Sequence, residues 1–241
     1  MARQRPVVAI DGPAGAGKST VSQEVARALG YTLVDTGSLY RAVALLADEA
    51  GVDLGDGPAV EALAAEAVAQ ETLTLASVER PDGTGRVTEV RLRGEFPGDR
   101  IRTGAMSLGA SAVSAYPGVR AALLELQRRF GRDGAVVLEG RDIGTVVFPD
   151  AEVKVFLTAS PAVRARRRHA QLAQGGTAVD YDTVLREVEQ RDAQDAGRSI
   201  APLREAEGAT RVDSSTLDRA AVVDRIVTLV RAYDPGARQG P

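Results

Sequence analysis

Short apolar runs alternate with longer segments of helical periodicity along most of this chain. Apolar runs begin at Val7, Ala135 and Val153, and the longer segments carry apolar residues at three- and four-residue spacing, as at Val21 and Val25. Continuous apolar runs are typical of strands buried on both faces of a parallel sheet, and such strands are usually joined by helices. The pattern therefore predicts an α/β fold with about five parallel strands, helices on both faces, and a ligand at the carboxyl ends of the strands.

The expected elements have approximate bounds. Strands are predicted at about 7–10, 32–34, 135–138, 153–157 and 211–213. Helices are predicted at about 18–29, 37–51, 58–70, 103–115, 118–130, 161–174, 181–191 and 217–230, with a frayed tail from residue 234.

Residues 72–92 depart from this alternation. Two segments with period-two alternation, 72–75 and 87–92, flank the turn-rich stretch 80–85. This arrangement predicts a small antiparallel hairpin. Because it interrupts an alternating α/β pattern, we expect it to belong to an inserted subdomain.

The stretch 12–19 has the composition of a phosphate loop. It fits the pattern G-x-x-x-x-G-K-[ST], follows the first apolar run and precedes the first predicted helix, which is the context the motif requires. Glycines let the backbone turn its N–H groups inward, and the following helix adds the positive end of its dipole. We expect Lys18 to reach the nucleotide phosphates and the hydroxyl of Ser19 to coordinate Mg²⁺. The residues predicted to bind ATP are Gly12, Ala14, Gly15, Ala16, Gly17, Lys18, Ser19 and Thr20.

The usage of basic residues supports a special role for Lys18. The chain has 30 basic residues, and all but Lys18 and Lys154 are arginines. A compact ammonium group suits a tight backbone nest better than a planar guanidinium does.

The overall composition narrows the class of protein. A chain of 241 residues with 44% hydrophobic and 26% charged residues is typical of a globular protein with a sizeable core. It has no cysteine, no apolar run near 18 residues and a net charge of −3. We therefore expect a cytoplasmic protein that neither crosses a membrane nor binds nucleic acid, and we expect a monomer.

Polar clusters follow several of the predicted strands. They lie at 35–41, at 139–145 and in the arginine-rich segment 164–168, and Arg191, Asp195 and Arg198 share one face of a helix if that segment stays helical. Taken alone, segment 164–168 is more typical of a solvated helix face. Together with a phosphate loop, the clusters favour phosphoryl transfer, because its transition state spreads negative charge over several oxygens.

These residues resemble the bacterial cytidylate kinase family. The resemblance rests on 12–18, 35–41, 139–149 and the group Arg191, Asp192, Asp195 and Arg198, and it extends from about residue 7 to residue 230. It implies a phosphate-loop kinase core at about 5–64, 104–159 and 177–234, an α+β insert that binds the nucleoside monophosphate at about 65–103, and a short lid at about 160–176. It also implies transfer of the γ-phosphoryl group of ATP, with Mg²⁺, to CMP or dCMP.

The resemblance assigns roles to individual residues. Lys18, Arg141, Arg164 and Arg168 are the implied catalytic residues, and the last two are lid residues that close on ATP. The implied base contacts are Ser111, Arg120 and Asp142, with Thr36 near the base. Arg41, Arg141 and Arg198 hold the acceptor phosphate, Arg191 and Asp195 hold its ribose, and Tyr40 supports the acceptor side.

Three questions stay open on the sequence. Glu139 either holds a water of the Mg²⁺ shell or is purely structural. The acceptor could be another nucleoside monophosphate or shikimate, in which case Ser111, Arg120 and Asp142 have no special role. The chain could also be a nucleotide-binding switch without catalytic activity.

Overall fold

In a computed structural model of the chain, the structure describes residues 3–80, 83 and 85–233. The tail predicted from residue 234, and residues 81, 82 and 84 of the predicted turn, lie outside the described residues. The chain forms two compact units. Of the described residues, those up to 29 together with those from 137 onward form the first unit, and those between 30 and 136 form the second.

Strands and helices alternate along the described chain. In order they are β1 (Val7–Asp11), α1 (Lys18–Leu29), β2 (Thr32–Asp35), α2 (Gly37–Ala50), α3 (Gly57–Ala69), β3 (Leu73–Glu79), β4 (Arg86–Leu92), a 3₁₀ turn (Gly98–Arg102), α4 (Gly104–Val113), α5 (Pro117–Arg129), β5 (Val136–Gly140), a π-helical turn (Ile143–Val147), β6 (Val153–Thr158), α6 (Pro161–Gln174), α7 (Tyr181–Ala196), β7 (Thr210–Asp213) and α8 (Arg219–Arg231).

The first unit contains a sheet in the order β5-β1-β6-β7. β1 is buried along its whole length and pairs in parallel with β6, which pairs in parallel with β7. Helix α1 packs on α8, and α6 packs on α7. Parallel strands place their carboxyl ends at one edge, so the segments that follow β1, β5, β6 and β7 emerge at the same side of this unit.

The second unit joins a hairpin to a helical core. β3 and β4 are antiparallel with Leu73 opposite Leu92, which confirms the predicted pair, and β4 continues in parallel onto β2. Alternate residues of β3 enter a core that includes the fully buried Leu39 and Leu123. The expected insert at 65–103 lies inside this unit, and its boundaries and those of the lid stay predictions.

The α/β class predicted from the sequence is confirmed, since the described strands pair mostly in parallel and helices flank them. Helix α1 has the bounds expected from its periodicity, and α2 ends at Gly51 in a left-handed conformation (φ 66°). Two features differ from expectation. Helix α7 extends five residues beyond residue 191, to Ala196, and Ile143–Val147 forms a π-helical turn. None of the helices in the described ranges combines the length and apolar character that a membrane crossing requires.

Candidate active site

The loop between β1 and α1 depends on its glycines. Gly12, Gly15 and Gly17 have φ values of 153°, 76° and 92°, a range that L side chains rarely adopt. A Cβ added at Gly12 would lie 1.9 Å from the carbonyl oxygen of Leu157. The backbone therefore makes a tight turn directly before the N-terminus of α1, which is the arrangement that binds phosphate groups.

Lys18, the first residue of α1, lies beneath this loop. Its side chain is buried, and Nζ donates hydrogen bonds to the carbonyl oxygens of Gly12 (2.7 Å) and Pro13 (2.8 Å). Burial lowers the pKa of Lys18 well below its usual range, the positive charge of Arg141 lowers it further, and Glu139 opposes the change. Anionic phosphate groups at the loop would favour the charged form of the ammonium group.

The remaining predicted ATP-binding residues lie in the same short stretch. Ala14 is half-buried, Ala16 is buried, and Ser19 and Thr20 are exposed in the first turn of α1. The exposed hydroxyl of Ser19 is thus accessible at the positive end of the helix.

A cluster of arginines surrounds one buried carboxylate on α7. The side chain of Asp195 is 2% exposed, and its oxygens accept hydrogen bonds from Arg141 Nε (3.0 Å) and lie 2.7 Å from Arg198 Nη2. Arg191 is close enough to Asp195 for the two charges to interact. Burial lowers the pKa of the Arg191 guanidinium, and the like charge of Arg141 lowers it further. Its buried Nε has no hydrogen-bond partner in the described part of the chain. Three cations thus share one anion, and the surplus positive charge favours an anionic ligand.

The two arginines predicted to act from the lid have different surroundings. The side chain of Arg164 is 3% exposed and makes a bidentate ion pair with Asp192, at 2.8 and 2.5 Å. Its Nη1 also donates to the carbonyl of Ala14 (3.2 Å), so it lies against the phosphate loop. Arg168 is exposed and donates weakly to Gln171. A direct role in catalysis for either side chain stays a prediction.

Asp142, which follows β5, is buried. Its backbone carbonyl accepts hydrogen bonds from the N–H groups of Val146 (2.9 Å) and Val147 (3.2 Å), and these bonds begin the π-helical turn. The polypeptide around the predicted base-reading carboxylate is therefore tightly fixed.

In the second unit, two of the predicted acceptor arginines contact neighbouring side chains. Arg41 donates to Asp35 at 2.6 Å, and the guanidinium of Arg120 lies 5.6 Å from the centre of the Tyr40 ring. Thr36 is buried directly before α2. Ser111 is half-buried on α4.

Comparison with known proteins identifies the family. The family model described as cytidylate kinase matches residues 8–232. The chain belongs to the cytidylate kinase family. It is 47% identical over 238 residues to the cytidylate kinase of Geobacter sulfurreducens, covering 98% of both chains. It is also 47% identical over 224 residues to that of Syntrophotalea carbinolica, covering 93% of this chain and 91% of the relative.

A solved structure of an uncharacterized protein from Eubacterium ventriosum has a TM-score of 0.51 and 10% identity, over 95% of this chain and 100% of that chain, which is a likeness of fold alone. As a member of the cytidylate kinase family, the chain is a nucleoside monophosphate kinase, a phosphotransferase that uses ATP as co-substrate.

Asp11 is a residue of this cytidylate kinase that the sequence analysis missed. It ends β1, and its carboxylate accepts hydrogen bonds from the N–H groups of Ile143 (2.8 Å) and Gly144 (2.7 Å). Burial raises the pKa of Asp11 to about 6, and the nearby charge of Asp142 contributes to the rise. The available signal was a carboxylate at the end of an apolar strand, directly before the phosphate loop.

Arg167 and Ser214 were also missed as site residues. Arg167 was considered only as part of the arginine-rich segment, yet both residues contact the carbonyl of Ala16 in the phosphate loop. For Ser214 nothing in the local sequence indicates this contact.

Proposed function

We propose that this cytidylate kinase transfers the γ-phosphoryl group of ATP to CMP or dCMP, giving ADP and CDP or dCDP. The observation that carries the proposal is the combination of a phosphate loop, closed over a buried Lys18, with a surplus of arginine charge around Asp195 in the same compact unit. The first group suits a triphosphate, and the second suits an additional anionic compound.

The chemical step needs no protein base. An oxygen of the acceptor's phosphate, which is already anionic at neutral pH, forms a bond to the γ-phosphorus of ATP. The bond from that phosphorus to the β–γ bridging oxygen breaks, and its electron pair remains on ADP. Catalysis then consists of positioning both phosphates and stabilising the charge on the transferring group.

On the donor side, the residues of loop 12–17 other than Pro13 would surround the phosphates with backbone N–H groups, and Lys18 would supply the positive charge. Two backbone carbonyls, those of Gly12 and Pro13, fix the position of the ammonium group. We infer that Lys18 bridges the donor and the transferring group, and that the exposed Arg168 closes on ATP.

The residues present fit a magnesium ion that arrives with ATP. Magnesium prefers oxygen ligands and usually keeps several waters, and Ser19 offers an accessible hydroxyl next to Lys18. The ion would neutralise charge on the phosphates. Glu139 is a buried carboxylate whose charge acts on Lys18, so it is placed to influence the same region, and its contact with a magnesium-bound water stays a prediction.

On the acceptor side, Arg141 and Arg198 would hold the phosphate. Each already forms an ion pair with Asp195, which limits its conformational freedom before the ligand binds. Arg191 and Asp195 would hold the ribose, and Arg41, ordered by Asp35, would add a further phosphate contact.

The base contacts determine the acceptor. The carboxylate of Asp142 can accept the amino hydrogen of cytosine, and Arg120 can donate to its O2 and N3 acceptors. Ser111 can do either, and the buried Thr36 would lie near the base. A site that hydrogen-bonds particular groups rejects analogues that leave those groups unpaired. The same reasoning disfavours shikimate as acceptor.

An acceptor panel tests this proposal. CMP, dCMP, UMP, AMP and shikimate are each offered with ATP, and ADP release is measured together with the identity of the phosphorylated product. We expect CMP and dCMP to have the highest kcat/KM values. Equal or faster turnover of UMP, AMP or shikimate would contradict the cytosine assignment. The cytoplasmic location, the monomeric state and the lack of nucleic-acid binding stay predictions.

A further inference from the structure

Helix α6 directs two arginines at the backbone of the phosphate loop. Arg164 and Arg167 are three residues apart and therefore lie on the same face of the helix. Arg164 Nη1 donates to the carbonyl of Ala14 at 3.2 Å, and Arg167 Nη1 approaches the carbonyl of Ala16 at 3.4 Å. Two carbonyls of the loop thus face guanidinium groups from one helix.

Ser214, directly after β7, strengthens the second of these contacts. Its hydroxyl accepts a hydrogen bond from Arg167 Nη1 (3.1 Å) and donates its own to the carbonyl of Ala16 (3.1 Å). Arg167 Nη2 also donates to the carbonyl of Ser214 at 2.7 Å. Ser214 is buried, and its N–H donates to the carbonyl of Thr158 on β6 (2.8 Å). The sheet therefore holds the serine in place.

The geometry points to a positioning role for Arg167. We propose that Arg167, with Ser214, fixes the peptide between Ala16 and Gly17 so that its N–H faces the phosphates of ATP. In a trans peptide the C=O and N–H groups point in opposite directions, and no cis peptide is present in the described ranges. Holding the carbonyl of Ala16 on the outer side of the loop therefore turns the N–H of Gly17 to the inner side.

The positive charge of Arg167 has a second effect. A guanidinium at the carbonyl end polarises the peptide group, which makes the N–H at the other end a better donor to an anion. Gly17 has a φ of 92°, so its backbone leaves the common region of conformational space and benefits from an external restraint. Arg167 thus differs from Arg168, which donates to the side chain of Gln171 and which we place on ATP itself.

This inference rests on the proposed use of the loop for ATP, and it is tested with variants of the full chain. Arg167→Met removes the guanidinium and keeps an unbranched side chain, and Ser214→Ala removes the hydroxyl. Arg166→Met is the matched control, because Arg166 is the preceding arginine, is exposed, and donates to the carbonyl of Ala162 in its own helix. For each variant we would measure kcat and the KM for each substrate. The affinity for ATP is measured by calorimetry, and the melting temperature shows whether the variant is folded.

Loss of a hydrogen bond that involves a charged group predicts a roughly 10- to 100-fold weaker affinity for ATP in Arg167→Met. The KM for CMP should change less than about twofold, since those contacts lie elsewhere, and Arg166→Met should behave like the wild type. Ser214→Ala should weaken ATP binding in the same direction, and the effects of the two substitutions should be non-additive in the double variant, because both residues act on one carbonyl. Guanidinium ion added to Arg167→Ala should restore part of the affinity.

Unchanged ATP affinity in a folded Arg167→Met variant would overturn the inference, as would an equal loss of affinity for both substrates. If Arg167→Met does not fold, the variant Arg167→Lys is used instead. An affinity for ATP that is weaker than that of the wild type supports the role, and an affinity equal to that of the wild type overturns it. Calorimetry with ATP alone keeps this test separate from the proposed function, whose failure would appear as wild-type protein that binds ATP but phosphorylates no CMP.

Discussion

Replacing Asp195 with asparagine tests the arginine cluster directly. The substitution keeps the size and shape of the side chain but removes the negative charge with which both Arg141 and Arg198 form ion pairs. Arg141, Arg191 and Arg198, whose charges act on one another, would then lose the carboxylate that they share. The repulsion between them and the lost charge-assisted hydrogen bonds both act on the folded state.

The structure sets the size of the effect. Breaking a fully buried ion pair by removing one partner costs about 3–5 kcal/mol. The side chains of Arg141 and Arg198 are 23% and 11% exposed, so solvent screens part of the unbalanced charge and the lower end of that range applies. We expect the free energy of unfolding to fall by about 3 kcal/mol. For a chain of this size that corresponds to a melting temperature lower by about 6–12 °C.

Urea unfolding of the wild type, Asp195→Asn and Asp224→Asn measures this change. Asp224 is an exposed carboxylate on α8, so Asp224→Asn removes the same charge without disturbing the cluster. We expect the KM for CMP to rise in Asp195→Asn, while the KM for ATP stays close to that of the wild type. A loss of stability below about 1 kcal/mol, equal to that of the control, would refute the reasoning.

Three further changes have defined outcomes. Gly12→Ala should lower the free energy of unfolding by about 3 kcal/mol or more, because the new Cβ would lie 1.9 Å from a backbone carbonyl oxygen. In the same denaturation assay Gly30→Ala should cost only about 1–2 kcal/mol, because Gly30 also has a positive φ (62°) but no atom of the described residues lies near the added Cβ. Lys18→Arg should reduce kcat by about 100-fold or more in the coupled assay, because the bulkier guanidinium does not fit between the two carbonyls, whereas Lys154→Arg should leave kcat unchanged. Burial raises the pKa of Asp11 from 3.8 to about 6, so at a pH between these two values the carboxyl takes up a proton when the chain folds. Its contribution to the free energy of unfolding therefore rises as the pH falls from about 6 to 4, by up to about 3 kcal/mol. Asp11→Asn should lack this rise, and a parallel pH profile in the two proteins would contradict the shift.

Local sequence signals were sufficient for the elements that depend on local chemistry. The helix from Lys18 to Leu29 follows from its apolar spacing and the glycine after it, and β3 and β4 follow from their alternation. The phosphate loop was predictable because its backbone requires glycine at fixed positions. These features are set by neighbours a few residues apart.

The features that were missed depend on contacts between distant residues. The π-helical turn is fixed by the carboxylate of Asp11, more than a hundred positions away in the chain. Helix α7 continues past residue 191 because the polar Asp195 is buried by pairing with arginines, which a hydrophobic pattern does not reveal. The ion pair of the buried Arg164 with Asp192 was likewise not indicated by the sequence, and the role of Arg164 toward ATP stays a prediction. Charge pairs formed on folding decide these positions.

The ratio of kcat/KM for CMP to that for UMP, in the wild type and in Asp142→Ala, tests the account most directly. Hydrogen bonds to the cytosine edge predict a preference of about 100-fold or more for CMP in the wild type. Without the carboxylate that accepts the amino hydrogen, the preference should fall to about tenfold or less in the folded variant. A wild type that uses UMP as well as CMP, or a folded Asp142→Ala variant with the wild-type ratio, would contradict the assignment.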